Sequence, residues 1–215
     1  MIDTILQTLL AYLIGTVMGG QVIGALRGGI DLRKLGSGNL GATNALRTQG
    51  AKFALAVLAI DVLKGVLASA LVPQLPVIGQ PLLARGEQAY VCGVAVALGH
   101  CYPVTAGFRG GKGVATLAGV FGTLLTASLP WLLGSFVLVV VLSGYVSLAT
   151  IVATLVAILY VTCFSAAGIF SAAGAFTLAM AALVIWKHRD NVRRLFAGTE
   201  HRFDRAMVWR RWLTH

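Results

Sequence analysis

The chain has 215 residues, of which 58% are hydrophobic and only 11% are charged, and its mean hydropathy is +0.86. A soluble domain usually carries about 25% charged residues, so this composition excludes a soluble globular enzyme, a disordered protein and a disulfide-stapled secreted domain. Lys and Arg together number 17 against 7 Asp and Glu, an excess that cytoplasmic loops or an anionic ligand would explain. No nucleic-acid-binding motif accompanies these basic residues, so nucleic acid is not expected as a partner. We expect residues 1–215 to form a single membrane domain.

The basic residues divide the apolar chain and allow its spans to be counted. They form three clusters, which we place in the cytoplasm because Lys and Arg are enriched there. One span is predicted near residues 5–26, and two more near 53–73 and 88–104. From Gly113 to Trp186 no residue is charged, and four spans of about 18 residues fit this stretch.

The predicted fold is all-α and integral to the membrane, with seven transmembrane helices, the N-terminus outside and the C-terminus in the cytoplasm. The last four spans are expected to be separated by breaks at residues 128–130, 143–147 and 165–168. The main alternative has five spans and shallow re-entrant segments. The basic tail 187–215, which carries Trp209 and Trp212, predicts a helix at the inner membrane interface.

Two charged residues lie inside the second predicted span. Asp61 and Lys64 are three positions apart and therefore share one helical face. A charged residue alone at the centre of a span costs about 2.5–3.5 kcal/mol, and pairing inside the bundle lowers that cost. On the sequence alone the pair is a structural ion pair, a catalytic group or part of a proton or ion path.

The first polar segment, residues 36–47, reads Gly-Ser-Gly-Asn-Leu-Gly-Ala-Thr-Asn-Ala-Leu-Arg. Its three glycines have the spacing of a dinucleotide-binding fingerprint, but that site requires a preceding strand, and here a membrane helix precedes it. Glycines let backbone N–H groups approach an anion, and an arginine guanidinium matches the geometry of a phosphate. The segment therefore predicts a phosphate-binding loop, with substrate contacts from Ser37, Asn39, Thr43, Asn44 and Arg47.

The second polar segment comprises residues 99–103, Gly-His-Cys-Tyr-Pro, and residues 108–116, which contain Gly-Gly-Lys-Gly. It is not a nucleotide-binding P-loop, because Ala106 and Gly113 replace its first glycine and its Ser or Thr. A cationic loop that enters a helix N-terminus remains, and such a loop is a natural phosphate site. The predicted phosphate contacts are Gly110, Gly111, Lys112 and Gly113.

The third polar segment covers residues 187–195 and is followed by Gly-Thr-Glu at 198–200. His188 and Asn191 are three positions apart on one predicted helical face, and a histidine at the membrane edge can hydrogen-bond or accept a proton. The span count places all three segments on the same side of the membrane. They would supply the groups needed to bind a phosphate and transfer a group at it.

Together, the three segments resemble the bacterial acyl-phosphate:glycerol-3-phosphate acyltransferase family (PlsY). The family pattern is Gly-Ser-Gly-Asn-x-Gly-Ala-Thr-Asn near the start, Gly-His…Pro…Phe-x-Gly-Gly-Lys-Gly in the middle and Lys-His-Arg-x-Asn-x-x-Arg-Leu…Gly-Thr-Glu near the end. Motif order, spacing, length and hydropathy agree over essentially the whole chain.

The resemblance implies a multi-pass enzyme of the bacterial cytoplasmic membrane whose active site faces the cytoplasm. It would transfer a fatty acyl group from acyl phosphate to the 1-hydroxyl of glycerol 3-phosphate, giving lysophosphatidic acid and phosphate, the first acylation of phospholipid synthesis. The acyl chain would enter from the membrane lipid. No cofactor and no obligate protein partner are implied, and no metal is expected because the three cysteines lack metal-ligand spacing.

The resemblance also assigns roles to individual residues. The implied catalytic set is Ser37, Arg47, Lys112, His188 and Asn191. Gly110, Gly111 and Gly113 would form the phosphate loop with Lys112, and Glu200 would be a structural acid. Residues 145–150 match a further family segment and add Ser147 as a substrate contact, although Gly144 stands where the family usually has a basic residue.

Two other classes of function compete with the acyltransferase. A transporter for a small phosphate ester would also use intramembrane charges and anion-binding loops, and a membrane scaffold would leave the three polar segments unexplained. A transporter should line the membrane midplane from two related repeats. Here the polar segments gather at one predicted face and the sequence has no internal repeat.

Overall fold

The computed structural model describes residues 2–76 and 82–207, which form α-helices joined by short 3-10 turns and extended in one place by a π-helical turn, Leu67–Leu71, with no β-strand in this part of the chain. The helices are α1 Ile2–Thr16, α2 Gly19–Leu26, α3 Ala42–Gln49, α4 Ala51–Val66, α5 Arg85–Cys101, α6 Val114–Leu124, α7 Leu129–Ser143, α8 Val146–Phe164, α9 Ala172–Lys187 and α10 Arg189–Phe196. The all-α prediction is therefore confirmed over the described residues. The chain divides into two compact units, Met1–Thr126 and Ala127–His215.

Four described segments are long and apolar enough to cross a membrane: Ala51–Gln74, Arg85–Ala106, Thr126–Ser143 and Val146–Phe164. A fifth arises if α1 and α2, which are bent by 46° relative to each other, are counted as one span. The other two apolar helices are shorter. At 1.5 Å per residue, α6 is about 16 Å long and α9 about 24 Å, against about 30 Å for the hydrocarbon core. Seven spans, the orientation of the termini and the five-span alternative thus stay predictions.

Close backbone contact holds the helices of the first unit together. Gly15 in α1 and Gly99 in α5 lie against each other, and a Cβ on Gly99 would collide with the carbonyl oxygen of Tyr12. In the same way, a Cβ on Gly119 in α6 would collide with the carbonyl oxygen of Val62 in α4. Small residues at such crossings let apolar helices pack through their backbones, which brings the loops at the helix ends close to buried groups on neighbouring helices.

The second unit contains α7 to α10. The first observed break lies slightly before the predicted one at 128–130, because α7 already begins at Leu129. Pro130 is accepted in the first helical turn, where its missing N–H needs no partner. Gly144 ends α7 with φ of 75°, a left-handed conformation suited to glycine, and α8 ends before Ser165. The breaks at 143–147 and 165–168 are therefore confirmed.

The basic tail is helical at its start. The short helix α10 begins directly after His188, at the end of α9. Trp209 and Trp212, on which the interfacial prediction also rests, lie outside the described residues.

Candidate active site

The first loop, residues 35–41, is organised by the buried side chain of Asn44 at the start of α3. Its Oδ1 accepts a hydrogen bond from the backbone N–H of Ser37 at 2.9 Å. Its Nδ2 donates to the carbonyl oxygens of Leu32, Leu35 and Asn39 at 3.2, 3.0 and 2.9 Å. These bonds use both ends of the amide, so Asn44 shapes the loop, while its predicted substrate contact stays a prediction.

The other predicted substrate contacts of the first polar segment surround this framework. Ser37 and Thr43 are exposed, and Arg47 is half-buried on α3. The Oδ1 of Asn39 accepts the N–H of Gly41 at 2.8 Å, which closes a turn immediately before the helix. The hydroxyl-bearing residues therefore reach the surface from a loop whose backbone is fixed internally.

The second loop, residues 102–113, lies against His100 at the end of α5. The N–H of Gly111 donates to the carbonyl oxygen of His100 at 3.1 Å. A Cβ on Gly111 would collide with the His100 ring, and one on Gly110 would collide with the His100 carbonyl oxygen and with Pro103. Both glycines are thus required by close packing against His100, whatever their part in binding phosphate.

The second loop leads directly into a helix, as the sequence predicts. Lys112 is half-buried, Gly113 has a left-handed conformation with φ of 82°, and α6 starts at Val114. Because backbone N–H groups at a helix start lack intrahelical partners, this end of α6 favours an anion beside Lys112. Phe108, at the exposed part of the loop, has φ of 60°, which is strained for a bulky residue.

Tyr12 in α1 holds the beginning of the second loop. Its hydroxyl donates to the carbonyl oxygen of Tyr102 at 2.8 Å and accepts the N–H of Val104 at 3.1 Å. Together with the contact between His100 and Gly111, this bond attaches the second loop to the helices at both of its ends.

The intramembrane pair occupies the break between α1 and α2. In a continuous helix the N–H of Gly19 would donate to the carbonyl oxygen of Gly15. Here Gly19 N–H donates to Asp61 Oδ1 at 3.2 Å, and Lys64 Nζ donates to the carbonyl oxygens of Gly15 and Val17, both at 2.8 Å. A negative group therefore faces the start of α2 and a positive group faces the end of α1, matching both helix dipoles.

Asp61 also contacts the second polar segment. Its Oδ1 lies 3.2 Å from Lys64 Nζ and 3.6 Å from His100 Nδ1, and that same ring nitrogen is 3.1 Å from Thr116 Oγ1. A separation of 3.6 Å is too long for a hydrogen bond, so Asp61 approaches the ring without one, whereas Thr116 lies within hydrogen-bonding distance of it. All four side chains are buried. We call Asp61, Lys64, His100 and Thr116 the buried cluster.

In the second unit, Glu200 joins three polar side chains. Its Oε1 accepts hydrogen bonds from Ser147 at 2.8 Å and Asn191 at 2.6 Å, and its Oε2 accepts one from Arg194 at 2.7 Å. Burial raises the pKa of Glu200, but the bonds from Asn191, Arg194 and Ser147 outweigh burial and hold the pKa below its ordinary value. The carboxylate is ionised at neutral pH and aligns Asn191 and Ser147.

His188 lies buried at the junction of α9 and α10. Its Nδ1 is 2.8 Å from the carbonyl oxygen of Val184. Because a carbonyl oxygen only accepts hydrogen bonds, Nδ1 carries the hydrogen, and a neutral ring then has its lone pair on Nε2. The contact therefore fixes both the orientation and the tautomer of the imidazole.

Comparison with known proteins identifies the family of this chain. A family model described as glycerol-3-phosphate acyltransferase matches residues 5–198. The chain belongs to this family. A protein named glycerol-3-phosphate acyltransferase from Thermoanaerobacter sp. (strain X514) is 41% identical over 197 residues, which cover 91% of this chain and 93% of the relative. Another of the same name, from Aquifex aeolicus (strain VF5), is 40% identical over 201 residues, covering 90% of this chain and 95% of the relative.

Two crystal structures of a family member are also similar to this chain. PlsY (YgiH), described as an integral membrane glycerol 3-phosphate acyltransferase, was solved in a glycerol 3-phosphate form and in a lysophosphatidic acid form. The TM-scores are 0.80 and 0.78, with 35% and 34% sequence identity, and in both cases the match covers 93% of this chain and 95% of the other. The chain is therefore, like PlsY, an integral membrane protein.

Some of the residues predicted for the site lie together in the structure, in each case within one unit. Asn44 binds the backbone of Ser37 and of Asn39, and Ser147 and Asn191 share the Glu200 carboxylate. No role was predicted from the sequence for Arg194, Tyr12, His100 or Thr116. His100 and Thr116 belong to the second polar segment, so their place in that segment was the signal that could have identified them.

Proposed function

We propose that this chain is a membrane glycerol-3-phosphate acyltransferase that uses acyl phosphate as its donor. The reaction moves the fatty acyl group to the 1-hydroxyl of glycerol 3-phosphate and yields lysophosphatidic acid and inorganic phosphate. The observation that carries the proposal is the whole-chain similarity to an acyltransferase crystallised with glycerol 3-phosphate and with lysophosphatidic acid. Those two ligands are the acceptor and the product of this reaction.

The proposed phosphate-binding groups come from the first and second loops. Ser37 and Arg47 supply a hydroxyl and a planar guanidinium, and Lys112 supplies a compact positive charge before the start of α6. These groups would bind the glycerol 3-phosphate phosphate and shield the charge of the donor. The remaining predicted substrate contacts are Asn39, Thr43, Asn44, Gly110, Gly111, Gly113 and Ser147.

His188 and Asn191 are the proposed orienting groups for the acceptor hydroxyl. The bond from Nδ1 to Val184 fixes the His188 ring, so that a neutral imidazole carries its lone pair on Nε2. Glu200 holds the Asn191 amide by a 2.6 Å hydrogen bond. Their fixed orientation supports a role in positioning, since alignment of two reactants contributes a large share of the rate in acyl transfer.

The choice of donor follows from chemistry. An acyl phosphate is a mixed anhydride with an activated carbonyl and a good leaving group, so the enzyme needs positioning and charge neutralisation more than a covalent nucleophile. Thioester-dependent acyltransferases use a His-x-x-x-x-Asp dyad. Thr105, Arg193 and Ala206 stand five residues after His100, His188 and His201, so the sequence lacks this dyad.

The proposed location is the bacterial cytoplasmic membrane, with the active site on the cytoplasmic side and the acyl chain entering from the lipid. The transporter alternative drew on Asp61 and Lys64 as part of an ion path. In the structure the lysine donates to two backbone carbonyls and the aspartate accepts a backbone N–H, so both residues have a structural use at the break.

Purified protein in detergent, given palmitoyl phosphate with and without glycerol 3-phosphate, tests the proposal. We expect phosphate release that depends on the acceptor and is matched by an equal amount of lysophosphatidic acid, measured by mass spectrometry. Palmitoyl-CoA in place of palmitoyl phosphate should give no product. Product formed from palmitoyl-CoA alone would overturn the donor assignment, and no product from either donor with folded protein would overturn the activity.

A further inference from the structure

The buried cluster connects two loops that are distant in the sequence. Asp61 accepts the backbone N–H of Gly19 at the start of α2 on one side and approaches His100 on the other. Neither contact belongs to the proposed chemistry, because no member of the buried cluster is among the proposed substrate-binding or catalytic residues. Each contact nevertheless leads, through backbone packing, to a loop proposed to bind phosphate.

The path to the first loop runs along α2. Gly19 is fixed by Asp61, and the next residue, Gly20, lies so close to the first loop that a Cβ would collide with the carbonyl oxygen of Leu40 and contact Leu32. Leu40 is a buried member of the first loop. A shift of α2 at the break would therefore move the loop that carries Ser37.

The path to the second loop runs through the His100 ring. Thr116 holds ring Nδ1 at 3.1 Å, and Asp61 stands 3.6 Å from the same nitrogen. The opposite edge of the ring fills the space where Gly111 has no side chain, and the His100 carbonyl accepts the Gly111 N–H. Lys112 follows immediately. The ring position therefore sets the course of the backbone that presents this lysine.

We propose that Asp61 and His100 are positioning residues that hold the first and second loops in a fixed relation for binding the glycerol 3-phosphate phosphate. The proposal rests on the proposed acyltransferase function, whose phosphate ligands come from these loops. A phosphate bound by groups from two loops requires both loops to keep a fixed relative position. Displacement of such groups by about 1 Å can cost up to about 100-fold in rate. Neither residue touches the substrate, and both act through the backbone they hold.

The test uses Thr116, because two replacements separate hydrogen bonding from packing. Thr116→Val keeps the shape and removes the hydroxyl that holds His100, whereas Thr116→Ser keeps the hydroxyl. We expect Thr116→Val to raise both the KM and the dissociation constant for glycerol 3-phosphate by about ten-fold, and Thr116→Ser to preserve them. Asp61→Asn should raise both constants in the same way. Ser69→Ala, which removes a buried hydroxyl bonded to Gly65 in the same span, is the matched control and should change neither.

Two readouts separate failure of this inference from failure of the proposed function. Isothermal titration with glycerol 3-phosphate reports binding without catalysis, and initial rates with palmitoyl phosphate report KM and kcat. A merely structural role would lower the folded fraction, and therefore the apparent kcat, at unchanged KM. Unchanged binding constants in folded Thr116→Val and Asp61→Asn would overturn the inference. Wild-type protein that binds the acceptor without forming product would overturn only the activity, and wild-type protein that does neither would overturn both.

The double variant Asp61→Asn/Thr116→Val checks that the two residues act through one ring. If both act on His100, the dissociation constant of the double variant for glycerol 3-phosphate should be close to that of the more weakly binding single variant. Fully multiplicative losses would assign the two side chains to separate effects and would overturn the shared path through His100.

Discussion

At the scale of single residues, Lys112 and His188 separate substrate binding from turnover. Lys112→Ala removes a proposed phosphate contact, so we expect the KM for glycerol 3-phosphate to rise by about ten-fold or more, while kcat changes less. His188→Ala removes a proposed orienting group for the acceptor hydroxyl, so kcat should fall by roughly 100-fold. Initial rates at saturating palmitoyl phosphate measure both. Unchanged kinetics for Lys112→Ala would remove the lysine from the site, and near wild-type turnover for His188→Ala would refute its chemical role.

The ionisation of Glu200 should make the stability of the second unit depend on pH. Its hydrogen bonds keep its pKa below the ordinary value of 4.5, although burial opposes them. Because the folded-state pKa is lowered, ionised Glu200 contributes stability that is complete above about pH 4.5 and is lost as the pH falls through the folded-state pKa. Glu200→Gln lacks this ionisation and should be less stable at pH 7 by about 2 kcal/mol.

Melting temperatures of the detergent-solubilised protein between pH 3 and pH 8 measure this effect. The difference in melting temperature between wild type and Glu200→Gln should be constant above about pH 5 and should decrease below about pH 4.5. Asp190→Asn, at an exposed carboxylate in α10, serves as a control and should change the melting temperature little. A difference that persists at acid pH would contradict the assigned role of the Glu200 charge.

Gly144 illustrates a local departure from the family pattern. A Cβ at this position would meet Cγ of Arg202 at 2.8 Å. The Arg202 guanidinium bonds the carbonyl oxygen of Ser143 at 3.0 Å and lies 5.5 Å from the Tyr145 ring centre. A positive charge is therefore present beside residue 144, where the family resemblance leads us to expect a basic residue and the sequence has glycine.

Gly144→Ala should be destabilising for two reasons. The left-handed backbone, with φ of 75°, costs a residue with a side chain about 1–2 kcal/mol, and the new methyl group would displace Arg202. Unfolding in a denaturant titration should show this loss, and Arg202→Ala in the Gly144→Ala background should restore part of it. Gly134→Ala is the control, since Gly134 lies within α7 with open space around its Cα. An equally large loss for Gly134→Ala would contradict the explanation.

At the scale of helices, most boundaries follow from local sequence, but the break in the first span does not. Gly144 and Ser165 mark helix ends that the sequence predicts. Residues 5–26 instead form one continuous apolar run without proline. The break depends on Asp61 and Lys64, which bond backbone groups 42 to 49 positions away. No local pattern records such a partner, so only the tertiary structure reveals it.

The same reasoning explains which parts of the site could be predicted. Asn44 binds groups within twelve positions of itself, so its neighbourhood is nearly contained in one motif. Glu200 reaches Ser147 across 53 positions, a distance at which residue spacing carries no information. The motifs therefore predict which residue types matter, and the packing of helices decides which of them meet.

The contacts at the break predict that replacing Lys64 alone lowers the stability of the protein more than replacing Asp61 and Lys64 together. Lys64→Met leaves Asp61 buried without its cation and leaves the Gly15 and Val17 carbonyl oxygens without their donor, so we expect a loss of about 3–5 kcal/mol. In Asp61→Asn/Lys64→Met no charge remains, and Gly19 N–H can bond Gly15 again. The double variant should therefore be more stable than Lys64→Met alone. SDS-titration unfolding measures both, and a double variant less stable than Lys64→Met would contradict this account.

At the scale of the whole molecule, contacts inside the second unit bear on the number of spans. The N–H of Phe203 donates to the carbonyl oxygen of Gly144 at 2.8 Å, and Ser147 bonds Glu200. The start of α8 therefore lies on the same side as the segment that follows α10. If α8, which is long enough to cross the membrane, does cross it, the chain must cross back through α9. If residues 109–112 and the tail both lie in the cytoplasm, the seven-span prediction also requires α6 and α7 to cross as two separate spans.

Cysteine labelling distinguishes this arrangement from the five-span alternative. In a variant without native cysteines, Thr126→Cys and Phe170→Cys should react with a membrane-impermeant maleimide in right-side-out vesicles, because the seven-span chain exposes both sites outside. If α6 and α9 are instead re-entrant, both sites face the interior and react only after permeabilisation. Gly86→Cys should be labelled from outside in either case, and Phe196→Cys only after permeabilisation. If Phe170→Cys alone is protected from the maleimide, either the tail lies outside the cytoplasm or α9 lies within one leaflet. Either result would contradict the seven-span arrangement, in which all three polar segments face the cytoplasm.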